Sequence, residues 1–311
     1  YEIVVSDWSS DVCSSDLKNL YQVLAYTEKF IKVLPARPLR TNAGRCLDIQ
    51  LPTMESNADY HMYVHPEKVS STQYFAAAAN CYSLSQSERP VGGIYFLNLF
   101  NLKTQARDDY SYFHVFLHEF FHLLGFQSST FQNFPNRNPT TGAWTFSDVR
   151  RNRTIDGVAY KFIELASVTN FAKSYYACNT LTGLPLENEG GSGSSGSHWE
   201  KLFMFNEFMN PTTDARASIS DFTLSVLRET GHYTISDEAS QEFSWGANDG
   251  CNHFRICPQS QTTSESCTVS GRFGCNADSS SYGTCTSNDF TNSCLQRSSS
   301  RSYCDLEFDK G

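Results

Sequence analysis

Residues 118–122 read His-Glu-Phe-Phe-His, and the chain continues Leu123-Leu124-Gly125. No other stretch constrains the chain as much. On a helix, side chains four residues apart share a face, so the imidazoles of His118 and His122 can reach one metal ion. Glu119 then lies beside them, placed to handle the proton of an activated water. Two histidines and a carboxylate in that register suit metal-assisted hydrolysis, with zinc the expected ion. Asp108 or Asp109 is the expected cap of this helix, and Gly125 its C′ residue. His114, one turn before His118, reads as structural rather than as a ligand.

A catalytic zinc site takes three protein ligands and leaves one position open. In the compact three-histidine pattern the third ligand would fall at residue 128, which here is serine. The third ligand must therefore come from farther along. His198, His232 and His253 are the downstream histidines, and Glu207 is a carboxylate alternative. His198 ends the Gly/Ser run of residues 190–197, and Met209 follows eleven residues later in Glu-Phe-Met-Asn-Pro.

At 311 residues the chain can bury a sizeable core and form two or three structural units. Its formal charge of −9 argues against a nucleic-acid footprint, which would be basic. No run of 18 apolar residues offers a membrane span. Eleven cysteines are unevenly spread, with seven of them between Cys251 and Cys304. None forms a Cys-x-x-Cys pair, so disulfides in an oxidising, secreted or surface compartment explain them better than a zinc knuckle. Asn152-Arg153-Thr154, a glycosylation pattern, fits the same compartment.

The first residues are unusual. Residues 4–17 repeat Ser-Ser-Asp in a way that fits no fold, and we read residues 1–16 as foreign sequence. The absence of a starting methionine and of a signal peptide marks the chain as a fragment or a processed form. Residues 17–34 are expected to form an amphipathic helix capped by Asp16 and stopped by Pro35. Strands are expected over 59–64 and 92–102, and a short helix over 74–81, where four alanines follow one another. Residues 126–159 read as a surface insertion, and 156–174 as a helix or strand pair. Ser220 should cap a helix over 220–229, with Gly231 after it. His61 and His65 are expected at the surface.

Several spaced segments together resemble the leishmanolysin family of metzincin metallopeptidases. They include residues 59–64, Ala79-Asn80-Cys81, residues 89–92, His118 to Phe126, residues 178–181 and 189–198. Glu207-Phe208-Met209-Asn210-Pro211 and Trp245-Gly246 with Cys251 complete the set. The resemblance implies an α+β zinc peptidase domain with a mixed sheet and an active-site helix. A cleft would split this domain, and a disulfide-rich C-terminal region would follow. It implies four parts: an N-terminal tail and helix to residue 36, catalytic subdomains over 37–126 and 127–245, and an incomplete cysteine-rich region over 246–311.

It also implies roles. His118, His122 and His198 would bind one zinc ion, Glu119 would be general base and acid, Met209 would floor the site in a Met-turn, and Gly125 would form the bend. Cys46–Cys81 and Cys178–Cys251 are the implied disulfides, while six further tail cysteines allow 15 pairings. Gly92, Gly93 and Ile94 would border the cleft as a strand edge on which an extended substrate pairs. The implied activity is endopeptidase cleavage of extracellular or surface proteins, with surface association carried by parts outside this chain. A catalytically inactive adhesin or binding module on the same fold is the alternative.

Overall fold

A computed structural model of the chain describes residues 3–7, 14–33, 39–70, 74–104, 109–212, 217–257, 267–275 and 282–297. Strand β1 (Ile3–Asp7) is followed by helix α1 (Ser14–Phe30) and β2 (Ile31–Val33). Two short hairpins come next, formed by β3 (Leu39–Thr41) with β6 (Met54–Ser56) and by β4 (Gly44–Cys46) with β5 (Ile49–Leu51). The main sheet is completed by β7 (Tyr60–Glu67), β8 (Ala76–Ser83) and β9 (Pro90–Asn98). Helices α2 (Leu99–Thr104) and α3 (Asp109–Leu123) follow.

The second half holds α4 (Ser128–Gln132), β10 (Phe134–Arg137), β11 (Trp144–Ser147), β12 (Arg150–Ile155), β13 (Val158–Ile163) and α5 (Ala166–Tyr175). After β14 (Leu184–Leu186) come α6 (Lys201–Met204), α7 (Asp221–Glu229) and β15 (Tyr233–Ile235). The contacts define two compact units. The first holds residues 1–126, 133–147 and 227–239, and the second holds 127–132, 148–226 and 240–311. Segments 133–147 and 227–239 thus return to the first unit after the chain has left it at residue 126.

In the first unit the sheet order is β1-β7-β9-β8, with β7 parallel to both neighbours and β8 antiparallel to β9. β7 and β9 are apolar on both faces, as strands covered on both sides must be. Tyr60, Met62, Tyr63, Val64, Val91, Ile94, Tyr95 and Leu97 are all buried. α3 lies against β8 and β9 and buries Phe116, Leu117, Phe120, Phe121 and Leu123. Gly93 permits this approach: a Cβ there would fall 2.5 Å from the Ala79 carbonyl and 2.9 Å from Leu123 Cδ2.

Several expectations change. Gly92, Gly93 and Ile94 are not an edge. β9 pairs with His61–Tyr63 on one side and with β8 on the other, so its backbone groups are already used. The edge next to α3 is β8. The alanine run inside β8 is a strand rather than a helix, because small side chains fit beneath α3 and pairing with β9 overrides a weak helix propensity. Residues 4–7, the start of the stretch expected to fit no fold, lie in β1, as the β-branched run Ile3-Val4-Val5 allows.

α1 begins at Ser14, which puts Asp16 inside it, and it stops at Phe30 rather than at Pro35. Ile31–Val33 instead pairs with β15. The strand expected to reach residue 102 ends at Asn98, whose side chain accepts from the Phe100 amide (3.2 Å) and so caps α2. His61 is fully buried, hydrogen-bonded to Thr41 Oγ1 at 3.1 Å.

The second unit contains the antiparallel sheet β12-β13-β14 and a core of Ile155, Tyr160, Phe162, Leu202, Phe203 and Cys294. The segment expected over 156–174 is thus a strand followed by a helix. Ser220 caps α7, accepting from Thr223 N at 3.5 Å, and Gly231 stands after the helix at φ 71°. Four disulfides join described cysteines: Cys46–Cys81, Cys178–Cys251, Cys257–Cys294 and Cys267–Cys285. Closing the 73-residue separation of Cys178 and Cys251 removes unfolded-state entropy on the order of 4 kcal/mol. That matters in a region with few aliphatic residues. Among the described residues no helix is long and apolar enough to cross a membrane.

Candidate metal centre

α3 carries His118 and His122 on one face. Their Nε2 atoms stand 3.1 Å apart, with the rings nearly perpendicular. Two nitrogens bound to one tetrahedral zinc would be about 3.3 Å apart, so the pair already has the bite of a metal chelate. The helix starts at Asp109, and Asp108 lies outside the described residues.

Its far end is a Schellman turn. Phe126 N donates to Phe121 O and Gly125 N to His122 O, each at 3.0 Å, with Gly125 at φ 112°. The turn swings the Phe126 carbonyl beneath His122, whose Nδ1–H donates to it at 2.6 Å. That bond fixes the tautomer with the Nε2 lone pair facing outward, as a ligand needs. Burial pushes the His122 pKa down to about 4, which keeps the ring neutral. A contact not foreseen from sequence holds the helix end: Asn80 Nδ2 on β8 donates to the His122 carbonyl at 2.9 Å, and Tyr60 Oη donates to Asn80 Oδ1 at 2.7 Å. Asn80 belongs to the Ala79-Asn80-Cys81 signature, the only sequence signal for it.

Glu119 is partly exposed. Burial of its carboxyl pushes the pKa up to about 8, against a backbone hydrogen bond from Ala78. Nearby, Tyr95 Oη donates to the Phe116 carbonyl at 3.1 Å and holds α3 to β9.

The Gly/Ser run before His198 is a tight turn. Gly190, Gly191 and Gly196 all have positive φ, and Gly191–Gly193 form a single 3₁₀ turn. The run closes on its own histidine: His198 Nδ1 donates to Ser194 O at 3.0 Å, again leaving Nε2 as the outward nitrogen. The backbone of His198 is fixed as well, its carbonyl accepting from Glu187 N at 2.9 Å. The ligand atoms of His118, His122 and His198 all lie within 4.8 Å of one another, and they are the only such group among the described residues. Three imidazoles, two of them with Nδ1 engaged by a carbonyl, form a donor set that suits zinc.

The other candidate ligands are engaged elsewhere. His232 packs against Trp144, with ring centroids 5.0 Å apart and the rings tilted by 42°. His253 stacks on Tyr176 and its Nε2 donates to Phe203 O at 2.8 Å. Glu207 is fully buried, with both carboxylate oxygens taken by Ser220, Thr223 and the Met209 amide. Burial pushes its pKa up to about 7 against those bonds. Met209 is fully buried, and its carbonyl accepts from Trp199 N at 3.0 Å.

The family model described as Leishmanolysin matches residues 42–295. Leishmanolysin of Leishmania donovani is 30% identical over 201 residues, which are 63% of this chain and 31% of that protein. The leishmanolysin homolog of Crithidia fasciculata is 29% identical over 197 residues, 63% of this chain and 28% of that protein. The leishmanolysin-like peptidase of Drosophila melanogaster is 25% identical over 225 residues, 63% of this chain and 33% of that protein. The chain spans about a third of the length of the curated relatives it matches.

Proposed function

This chain belongs to the leishmanolysin family, and from that membership we propose that it is a zinc-dependent endopeptidase acting on proteins outside the cell. The observation that carries the proposal is the convergence of His118, His122 and His198 within 4.8 Å, with Glu119 next to the first of them in sequence. In this reading residues 37–126 carry the active-site helix and residues 127–245 the insertion, third ligand and Met-turn. Residues 246–311 form a cysteine-rich region. The four disulfides suit an oxidising, extracellular setting.

His118, His122 and His198 would hold the ion through neutral imidazoles. When bound, zinc supplies a water acidified toward neutrality, a polarised scissile carbonyl, and positive charge that offsets the burial pressing Glu119 toward its protonated form. Glu119 acts first as general base, taking the proton of the attacking water, and then as general acid, delivering it to the leaving amine. The Ala78 amide, hydrogen-bonded to the Glu119 carboxylate, orients it for both transfers. We assign the substrate-pairing edge to β8 (Ala76–Ser83). It is the outer strand of its sheet, and its outward backbone groups can add an extended peptide as a further strand.

Purified protein loaded with one equivalent of zinc should cleave casein, lose that activity to a chelator and regain it with added zinc. Folded, zinc-loaded protein that cleaves neither casein nor denatured substrates would overturn the enzyme reading in favour of a binding module.

A further inference from the structure

We propose that Glu207 is a positioning residue for the third histidine, acting through a closed ring of buried hydrogen bonds that ties the Met-turn to the residue beside His198. The inference rests on the reading of His198 as a zinc ligand.

The ring can be followed bond by bond. Glu207 Oε2 accepts from the Met209 amide (2.5 Å). The Met209 carbonyl accepts from the Trp199 amide (3.0 Å). The Trp199 indole Nε1–H donates to Thr223 Oγ1 (2.8 Å), and Thr223 Oγ1–H donates to Glu207 Oε1 (2.5 Å). Ser220 Oγ–H adds a second donor to the same Oε1 at 2.6 Å. Trp199, Glu207, Met209 and Thr223 are all 0% exposed and Ser220 is 1% exposed, so water offers no substitute partners.

The direction of every bond is set by chemistry. An indole nitrogen can only donate, so Thr223 Oγ1 must accept from Trp199 and spend its one hydrogen on Glu207. A backbone amide can also only donate, so Oε2 must accept. Position 207 therefore needs acceptors on both sides, which an ionised carboxylate supplies and an amide does not. A buried carboxylate without a cation is costly, and its retention here needs the three donors it receives.

The surrounding turn is wound to present it. Phe205 sits at φ 26°, Glu207 N donates to Met204 O at 2.6 Å, and Asn210 Nδ2 donates to the carbonyls of Phe205 and Glu207 at 2.6 and 2.7 Å. Trp199 follows His198 directly. Two fixed points on Trp199, its amide and its indole, leave the His198 backbone little freedom to swing away from the other two histidines.

The test compares Glu207→Gln, Thr223→Val and Thr223→Ser with the wild type, measuring the zinc dissociation constant by competition with a chromogenic chelator, below each protein's melting point. Glu207→Gln and Thr223→Val should weaken zinc binding about 10- to 100-fold, the usual effect of removing a partner that orients a ligand. Thr223→Ser keeps the hydroxyl and should stay within about threefold of wild type. Valine matches threonine in shape, so it tests the hydroxyl without emptying the core. Wild-type affinity in Glu207→Gln and Thr223→Val would overturn the inference alone. A loss in Thr223→Ser as large as that in Thr223→Val would also overturn it, because packing would then be the cause. Wild-type protein that binds no zinc would overturn the ligand reading and this inference with it.

Discussion

The Nδ1–H of His122 donates to the carbonyl of Phe126, four residues further on, at 2.6 Å. The bond exists because Gly125 turns the chain back under the helix at φ 112°, a conformation that residues with a side chain rarely adopt. Gly125→Ala should therefore have two effects. Backbone strain on the order of 1–3 kcal/mol should lower the melting temperature. Displacement of the Phe126 carbonyl should weaken zinc binding about tenfold, since the ring loses the partner that orients it. Unchanged zinc affinity in a destabilised variant would show that the turn serves the fold alone.

Glu119→Gln separates binding from turnover. Glutamine keeps the shape of the side chain but cannot take up the proton of the attacking water. Zinc stoichiometry should remain one per chain, while kcat on a fluorogenic peptide falls by about 10²- to 10⁴-fold. A kcat close to wild type would place the general base elsewhere.

Gly93→Ala tests the interior position of β9. A methyl group there meets the Ala79 carbonyl and the Tyr60 hydroxyl at 2.5 Å, both held in the sheet. At Gly92 the nearest neighbour is the Tyr82 ring, at 3.0 Å. Overpacking should destabilise Gly93→Ala by about 1–3 kcal/mol and Gly92→Ala by less. Thermal or urea unfolding of the two variants would check the ranking, and equal stabilities would contradict this packing.

What could be read from the sequence divides along range of interaction. The pairing of His118 with His122 and the Gly125 turn are legible because each depends on neighbours within eight residues. The third histidine of the group is not legible locally. His198, His232 and His253 look alike without the fold, and only the family resemblance favoured the first. Ala76–Ala79 suggests a helix because helix propensity is a local quantity, whereas β8 owes its conformation to pairing with β9 and to the Cys46–Cys81 link. His61, expected at the surface, is buried because β7 is covered on both faces. The ring through Glu207 joins residues 199, 207, 209, 220 and 223, and no periodicity or spacing announces it.

His232 should make the protein sensitive to acid through a group outside the proposed metal site. It is buried against Trp144 and near Tyr233, and burial together with the nearby Arg89 charge pushes its pKa down to about 3. The unfolded chain takes up this proton below about pH 6.5, whereas the folded chain resists it until about pH 3. Unfolding is therefore favoured increasingly as the pH falls through that window, by on the order of 3 kcal/mol at pH 4 from this residue. Above pH 6.5 both states are neutral at His232 and the contribution vanishes. His232→Phe keeps an aromatic ring against Trp144 and removes the titration. In the metal-free form its stability should fall less steeply than that of wild type between pH 6.5 and pH 4, as followed by urea unfolding at several pH values. Parallel pH profiles for the two proteins would mean that the protonated ring is accommodated in the fold.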